Sequence, residues 1–409
     1  MKRALLIGTF DTKGDEYAFV RSLLLDGGHE VLTMDLGVLT GPPPPFPIDI
    51  SADEVARAGG ASLSDLRARA DRGSAVDAMQ RGARALVRRL FAELRFDGVI
   101  GLGGGGGTTM VTAAMRELPV GVPKVMVSTM ASGNTTPYVD VKDITMMYSV
   151  VDIAGINPIS ERILRNAAGA LCGMLDVTPR AAVATARPLV AATMFGVTTP
   201  CVTAARQRLE AAGYDVIVFH ATGSGGRAME GLIDDGFFCA VLDVTTTEWC
   251  DEVVGGVLSA GPGRLSAAGR AGIPQVVSVG ALDMVNFGAA DTVPARFVGR
   301  TLYNHNATVT LMRTTADECR EIGRRITEQL NRATGPVVLV LPLRGVSMLD
   351  AASQPFHDPE ANRALFDSLH ANAGPQLRIR EIDAHINDSL FADALVDELL
   401  SLMPPGAAI

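Results

Sequence analysis

Residues 101–115 read GLGGGGGTTMVTAAM, and the apolar run FDGVIGL (96–102) leads into them. A strand-length apolar segment, then bare backbone, then small and apolar residues that can coil is the order of a β-strand feeding a helix through a tight turn. The unit recurs on both sides. RALLIGT (3–9), DEYAFVRSLLLDGG (15–28) and HEVLTMDLG (29–37) read as strand, helix and strand. PKVMVST (123–129) supplies another strand after a helix that runs to about Glu117. Such alternation is the pattern of a parallel sheet joined by helical crossovers.

Between these units, GPPPPFPI (41–48) interrupts the alternation, because proline offers no N–H to a ladder and restricts its neighbours. Helix returns over 75–94, where Val76, Met79, Ala83, Leu86, Val87, Leu90, Phe91 and Leu94 fall on one face and Arg81, Arg84, Arg88 and Arg89 mostly on the other. A further helix is predicted near 159–175. DVTPRAAVATARPL (176–189) then loses all periodicity, which places a domain boundary there. The second half repeats the order of the first: 188–223 follows the plan of 3–37, FFCAVLDVTTTE (237–248) that of the glycine-rich unit, and IPQVVSVGALDMVN (273–286) that of 122–134. The expected fold class is α/β, with two Rossmann-like lobes of mainly parallel sheet and helices on both faces. The lobes are expected at 1–182 and 183–409, the first binding a nucleotide and the second a substrate.

Composition narrows the function. A length of 409 residues allows roughly two to three domains. With 47% hydrophobic and 20% charged residues the chain reads as globular. A net charge of −9 argues against a sequence-independent grip on nucleic acid, which needs many Lys and Arg. The longest uncharged stretch, 98–115, is too rich in Gly and Thr for a membrane span, and the first residues carry no secretory leader pattern. Five cysteines without CxxC spacing fit a reducing cytoplasm rather than a disulfide framework or a structural zinc site.

A helix N-terminus presents unpaired N–H groups and a partial positive charge, and so attracts phosphate. Gly103, Gly104, Gly105, Gly106 and Gly107 let those donors approach closely, and Thr108 and Thr109 add hydroxyls. The same glycines also suit tight strand–helix packing. The lysine of a P-loop is missing, because the threonines follow the glycines directly. Gly101, Gly103 and Gly106 match G-x-G-x-x-G, but no acidic residue closes the following strand, which demotes a nicotinamide dinucleotide. At the end of the first strand Thr9, Asp11, Thr12 and Lys13 fall on a turn, with Lys13 suited to phosphate and Asp11 or Thr12 to capping. In the third loop Ser132, Gly133 and Asn134 permit close approach to a ligand or form a plain Asx turn.

Together, IGTFDTKGDE, GLGGGGGTT, VSTMASGNT, MMYSVVDIAGIN, LYNHNATVTLMRTT, LPLRGVSMLD and PFHDPEANRALF resemble the ATP-binding family typified by the plant tobamovirus-resistance protein. The resemblance spans nearly the whole chain. It implies two Rossmann-like subdomains, ATP in the N-terminal one, and a homodimer. It maps the family's first loop onto Gly8, Thr9, Asp11, Thr12 and Lys13, and its glycine-rich loop onto Gly103 through Thr109. Phe10 stands where relatives often carry a small residue. Plant members continue into a barrel-like domain, which a separate partner protein can supply here.

In the second half His220 ends a strand ahead of Gly223, Gly225 and Gly226, a candidate second anion site. Asp243, Glu248, Asp283, Asn286, His305 and Asn306 stand near further strand ends, and Arg344, Ser347 and Asp350 follow the strand GPVVLVL. His220, Glu248, His305 and Arg344 are the candidate catalytic residues: His with carboxylates suits acid–base work or an oxygen-liganded metal, and Arg344 suits a bidentate clamp on a substrate anion. The alternative is a satisfied interior His220 and a capping Asp243. The leading expectation is an ATP-dependent enzyme acting on a small organic or sugar acid in an interlobe cleft, with magnesium beside the phosphates. A non-catalytic ATP sensor and a metal-assisted hydrolase or lyase with regulatory ATP are the alternatives.

Overall fold

A computed structural model describes residues 1–177 and 187–403. The aperiodic stretch chosen as the domain boundary lies largely outside the described residues. The chain divides into two compact units, Met1–Ala182 and Val183–Ile409.

The first unit runs β1 (Arg3–Gly8), α1 (Phe10–Asp26), β2 (Glu30–Asp35), α2 (Ala52–Ala58), α3 (Leu63–Arg69), α4 (Arg72–Ala92), β3 (Gly98–Gly103), α5 (Gly105–Met115), β4 (Lys124–Ser128), α6 (Thr136–Val139), β5 (Thr145–Tyr148) and α7 (Pro158–Asp176). Its strands form one parallel sheet in the order β2-β1-β3-β4-β5. Side-chain alternation divides the core between two faces. Leu5 and Ile7 pack with Met79 and Leu86 of α4 on one face; Ala4 and Leu6 pack with Tyr17 and Leu171 on the other. A sheet covered on both sides explains why its strands are apolar runs rather than alternating ones.

Helix α1 begins earlier than the sequence predicts. It opens at Phe10 and kinks at Lys13, whose φ of −137° and ψ of 30° leave the helical range. Phe10 is the reason: it is buried, with its ring 4.8 Å from Tyr17 and 5.1 Å from Phe46, so the turn is anchored in the core rather than free. The proline-rich segment is thereby pinned across the start of α1. Two short helices, α2 and α3, occupy 52–69, where the sequence reading assigns none.

The second unit runs β6 (Leu189–Met194), α8 (Thr199–Ala211), β7 (Asp215–His220), α9 (Ser224–Asp234), β8 (Ala240–Thr245), α10 (Glu248–Val254), α11 (Ala267–Ala271), β9 (Gln275–Gly280), β10 (Met284–Phe287), β11 (Leu302–Asn306), β12 (Val309–Arg313), α12 (Ala316–Leu330), β13 (Val337–Pro342), α13 (Pro359–Asn372), β14 (Arg378–Ile382) and α14 (Ser389–Leu402). Six strands form a parallel sheet ordered β14-β13-β9-β8-β6-β7. β10, β12 and β11 make a separate antiparallel sheet, an insertion without a counterpart in the first unit. The order β7-β6-β8-β9 matches β2-β1-β3-β4, the internal likeness read from the sequence. Both units are Rossmann-like.

In α14, Leu390 is exposed, whereas Glu398 is buried and paired with Arg378 and Arg380. Among the described residues no helix is long and apolar enough to cross a membrane. All five cysteines are free thiols.

Candidate functional site

In a parallel sheet of order 2-1-3-4-5 the connections from strands 1 and 3 leave in opposite directions, opening a crevice at the carboxyl ends of those two strands. A cavity of about 670 Å³ lies there in the first unit. Its wall combines Thr9, Asp11, Thr12 and Lys13 after β1, Leu36 and Val38–Thr40 after β2, and Gly104–Gly107 after β3. Leu66 and Arg67 of α3, Arg72 and Val76 of α4, and Met110 of α5 complete most of it. The size suits a small-molecule ligand.

The glycine run divides into two kinds. A Cβ on Gly101 would lie 2.5 Å from Val111 and 2.9 Å from the Ile7 carbonyl, and one on Gly103 would lie 2.9 Å from Gly107; these two are glycine because strand and helix touch. At Gly104, Gly106 and Gly107 the nearest atoms stand at 3.5 Å or beyond, and at Gly105 nothing lies within 4 Å. Packing does not require those four. Gly104 is the N-cap of α5, Gly105–Gly107 form its first turn, and no side chain caps the helix. The first-turn amides have no intrahelical acceptor. They line the cavity with their donors unspent.

The first loop is tied down by carboxylates. Asp35, at the end of β2, accepts from the amides of Phe10 at 3.1 Å and Gly37 at 2.8 Å, which joins the segments after β1 and β2; burial raises its pKa. Asp11 accepts from the Leu39 amide at 2.7 Å, while its Oδ1 is buried without a hydrogen-bond partner. Thr12 bonds Thr9. Lys13 faces the cavity, but its amine donates to the Ile153 carbonyl, so its charge is already anchored.

Other expected ligand contacts take structural roles. Gly8 is buried, and a Cβ there would fall on the Tyr17 hydroxyl, which bonds the Ile7 and Leu102 carbonyls and the Leu102 amide across β1 and β3. Thr108 is fully buried and shares a 2.7 Å hydrogen bond with Ser128; Thr109 spends its hydroxyl on the Gly105 carbonyl at 2.9 Å. Ser132, Gly133 and Asn134 are exposed and absent from the cavity wall, and Asn134 forms the Asx turn onto the Thr136 amide at 3.1 Å.

In the second unit the expected catalytic side chains do not assemble. Glu248 is buried at the start of α10; its Oε1 accepts from the amides of Gly223 at 2.7 Å and Gly226 at 3.1 Å, and its Oε2 receives Arg264 at 2.6 Å. The expected second anion site at α9 is thus filled by the protein's own carboxylate. Arg264 also binds Asp243 through both terminal nitrogens and pairs with Glu230 at 3.3 Å. Burial drives the Glu230 pKa up against the pull of Arg264. Arg344 is exposed and closes its fork on Asp383 at 2.7 and 2.6 Å. His220 and His305 are exposed on β7 and β11, and among the described residues none of the four bonds another.

Asp283, Asn286, Ser347 and Asp350 are also buried. Ser347 donates to Asp283 at 2.6 Å, Asp350 accepts from Val346 and Asn362, and Asn286 donates twice to Asp251. Burial raises the pKa of Asp283 and Asp350, with mutual repulsion adding to the rise at Asp283. Among the described residues no three His, Cys, Asp or Glu side chains are grouped to hold a metal ion.

Two family models match the chain: "Uncharacterised protein family (UPF0261) N-terminal domain" over residues 2–180 and the C-terminal domain of the same family over 187–403. The chain belongs to the UPF0261 family. A UPF0261 protein of Clostridium tetani is 52% identical over 98% of this chain and 99% of its own length. One of Rhizobium meliloti is 50% identical over 97% and 98%. The "ToMV resistance protein Tm-1(GCR237)" of Solanum lycopersicum is 45% identical over 81% of this chain, a match that spans 45% of the tomato protein. The expected kinship with the tobamovirus-resistance protein therefore holds. A Streptomyces glycosyltransferase structure aligns over 68% of this chain and 82% of its own at 14% identity, with a TM-score of 0.18, too low to carry any argument.

Two basic residues in the wall of this UPF0261 chain carry no signal in the sequence. Arg67 donates to the Val38 carbonyl at 2.7 Å, and Arg72 is exposed with a guanidinium nitrogen 3.5 Å from where a Gly106 Cβ would stand. Arg67 precedes α4 and Arg72 opens it, both ahead of the periodic apolar positions that begin at Val76, and arginines in such unpatterned text do not stand out.

Proposed function

We propose that the first unit binds a nucleoside triphosphate, ATP by family resemblance, with its phosphates on the amides of Gly105–Gly107. One observation carries this reading: four consecutive glycines that packing does not require open an uncapped helix N-terminus into a cavity. An anion on such amides meets both unpaired donors and the helix dipole. Leu36, Val38, Leu66, Val76 and Met110 offer apolar wall for a base. Magnesium would arrive on the phosphates; Asp11 is a wall carboxylate, with one oxygen taken by the Leu39 amide and the other buried without a hydrogen-bond partner.

Of the two uses of bound ATP, consumption and signalling, signalling has the better support. Glu248, expected to do acid–base work, is committed to Arg264 and two backbone amides, and Arg344 to Asp383. The reading is therefore an ATP-binding module whose nucleotide controls assembly with a second copy or a partner. Thermal unfolding with and without ATP and magnesium tests binding: saturation at a hundred times the dissociation constant raises stability by about 2.7 kcal/mol. No rise with ATP at millimolar concentration would remove the reading. ATP hydrolysis that appears only with a small acid would favour the enzyme instead.

A further inference from the structure

Three cations line the cavity, and they are not equivalent. Lys13 gives its amine to the Ile153 carbonyl and Arg67 its Nε to the Val38 carbonyl, so both brace the wall. Arg72 alone among these three has no hydrogen bond or ion pair within the described residues. Its nearest acidic neighbour in sequence, Asp71, is spent on α4: it accepts from the amides of Gly73 and Ser74 and from the Ser74 hydroxyl. An arginine with its planar fork uncompensated beside an uncapped helix turn is poised for a phosphate, which such a fork holds with two parallel hydrogen bonds.

Position strengthens the argument. Arg72 is the first residue of α4, and its guanidinium stands over Gly106, the middle of the three glycines in the first turn of α5. Any side chain at 106 would reach toward that nitrogen, so glycine there keeps the gap between helix turn and guanidinium clear. The N-terminus of α4 is capped internally, while that of α5 is not. The two helix starts thus present complementary halves of an anion site: bare amides from one and an unpaired cation from the other.

We propose that Arg72 is the phosphate clamp of this cavity and sets its preference for nucleoside di- and triphosphates over monophosphates and nucleosides. This rests on the nucleotide reading above. The backbone amides hold one phosphate group, and Arg72 adds a fixed positive charge whose attraction grows with the charge of the phosphate chain. Lys13 and Arg67, already bonded to carbonyls, keep the loops in place around it.

The test is calorimetric titration of the full chain with ATP, ADP, AMP and adenosine, using unsubstituted protein, Arg72→Ala, Arg72→Gln and Arg72→Lys. Arg72 is exposed, so folding is expected to survive, and circular dichroism checks it. Arg72→Ala and Arg72→Gln should weaken ATP and ADP by about 10- to 100-fold, as expected for a lost charged hydrogen bond, and leave adenosine unchanged. Arg72→Lys should restore part of the loss. ATP bound equally well by unsubstituted protein and Arg72→Ala would overturn the clamp while leaving the nucleotide reading intact. Equal losses for adenosine and ATP would overturn it too, because they mark a role in shape rather than charge. Failure of the unsubstituted protein to bind any of the four removes the nucleotide reading and the clamp together.

Discussion

Glu248 Oε1 accepts a hydrogen bond from the Gly223 amide at 2.7 Å, in a buried corner that also holds Arg264. Each unit thus has a glycine-rich helix start after a strand, but the second meets an internal carboxylate and the first meets a cavity. The steric pattern agrees. A Cβ at Gly225 would lie 1.8 Å from the His220 carbonyl and one at Gly226 2.2 Å from Glu248, whereas Gly105 has open space. Glycine serves packing in one unit and leaves access in the other.

Replacing Glu248 should therefore cost stability. Removing one partner of a buried ion pair leaves Arg264 undercompensated, and Glu248→Ala is expected to lose about 3–5 kcal/mol in urea unfolding of the second unit. ATP binding by the first unit should stay within twofold. Unchanged stability with a lost activity would restore Glu248 to catalysis.

The two kinds of glycine predict opposite outcomes in the first unit. Gly101→Ala forces a methyl against Val111 and the Ile7 carbonyl and should destabilise by about 1–3 kcal/mol. Gly105→Ala meets nothing and exchanges a poor helix former for a good one, so stability should hold or rise by up to about 1 kcal/mol while ATP affinity falls. Melting curves and titrations on the two proteins separate the effects.

Tyr17 should behave as a structural tie at the crevice. Its hydroxyl bridges the backbones of β1 and β3, and burial pushes its pKa far up, so it stays protonated. Tyr17→Phe strands the Leu102 amide and should lose about 1–3 kcal/mol. A loss under 0.5 kcal/mol, roughly the scale of a neutral surface change, would contradict that role.

Asp251 gives a pH signature. Burial pushes its pKa up to about 7, above the value near 4 expected in an unfolded chain. The folded state therefore keeps a proton that the unfolded state releases, so this contribution is complete below about pH 4 and is lost as pH rises to about 7. Asp251→Asn does not titrate and should gain on the unsubstituted protein across that interval, with the difference level above it. A pH-independent difference would show that Asp251 is ionised in the fold.

Local patterns carried much of this in the sequence. The apolar runs of β1, β3 and β4, most of the face of α4 and the strand–glycine–helix order are short-range and appear where the periodicity puts them, but Leu94, assigned to that face, lies beyond the helix end at Ala92 and is exposed. The rest depends on partners distant in the chain. Glu248 reads as catalytic because it stands near a strand end, where a carboxylate beside a histidine suits acid–base work; Arg264, which takes its Oε2, comes 16 positions later in the chain. Thr108 reads as a ligand donor, but Ser128, from the next strand, shares its hydroxyl's hydrogen bond. α3 and Arg72 lie in text without periodicity, and β11 shows mostly exposed polar residues, so none of the three carries a strand or helix signal.

Hydrogen exchange of peptides covering 103–110 and 222–230, with and without saturating ATP and magnesium, tests the central claim most directly. The account predicts slower exchange in the 103–110 peptide, where the open amides of Gly105–Gly107 lie, and no change at 222–230, where Glu248 already holds the amides. ATP that binds while 103–110 exchanges unaltered would contradict it.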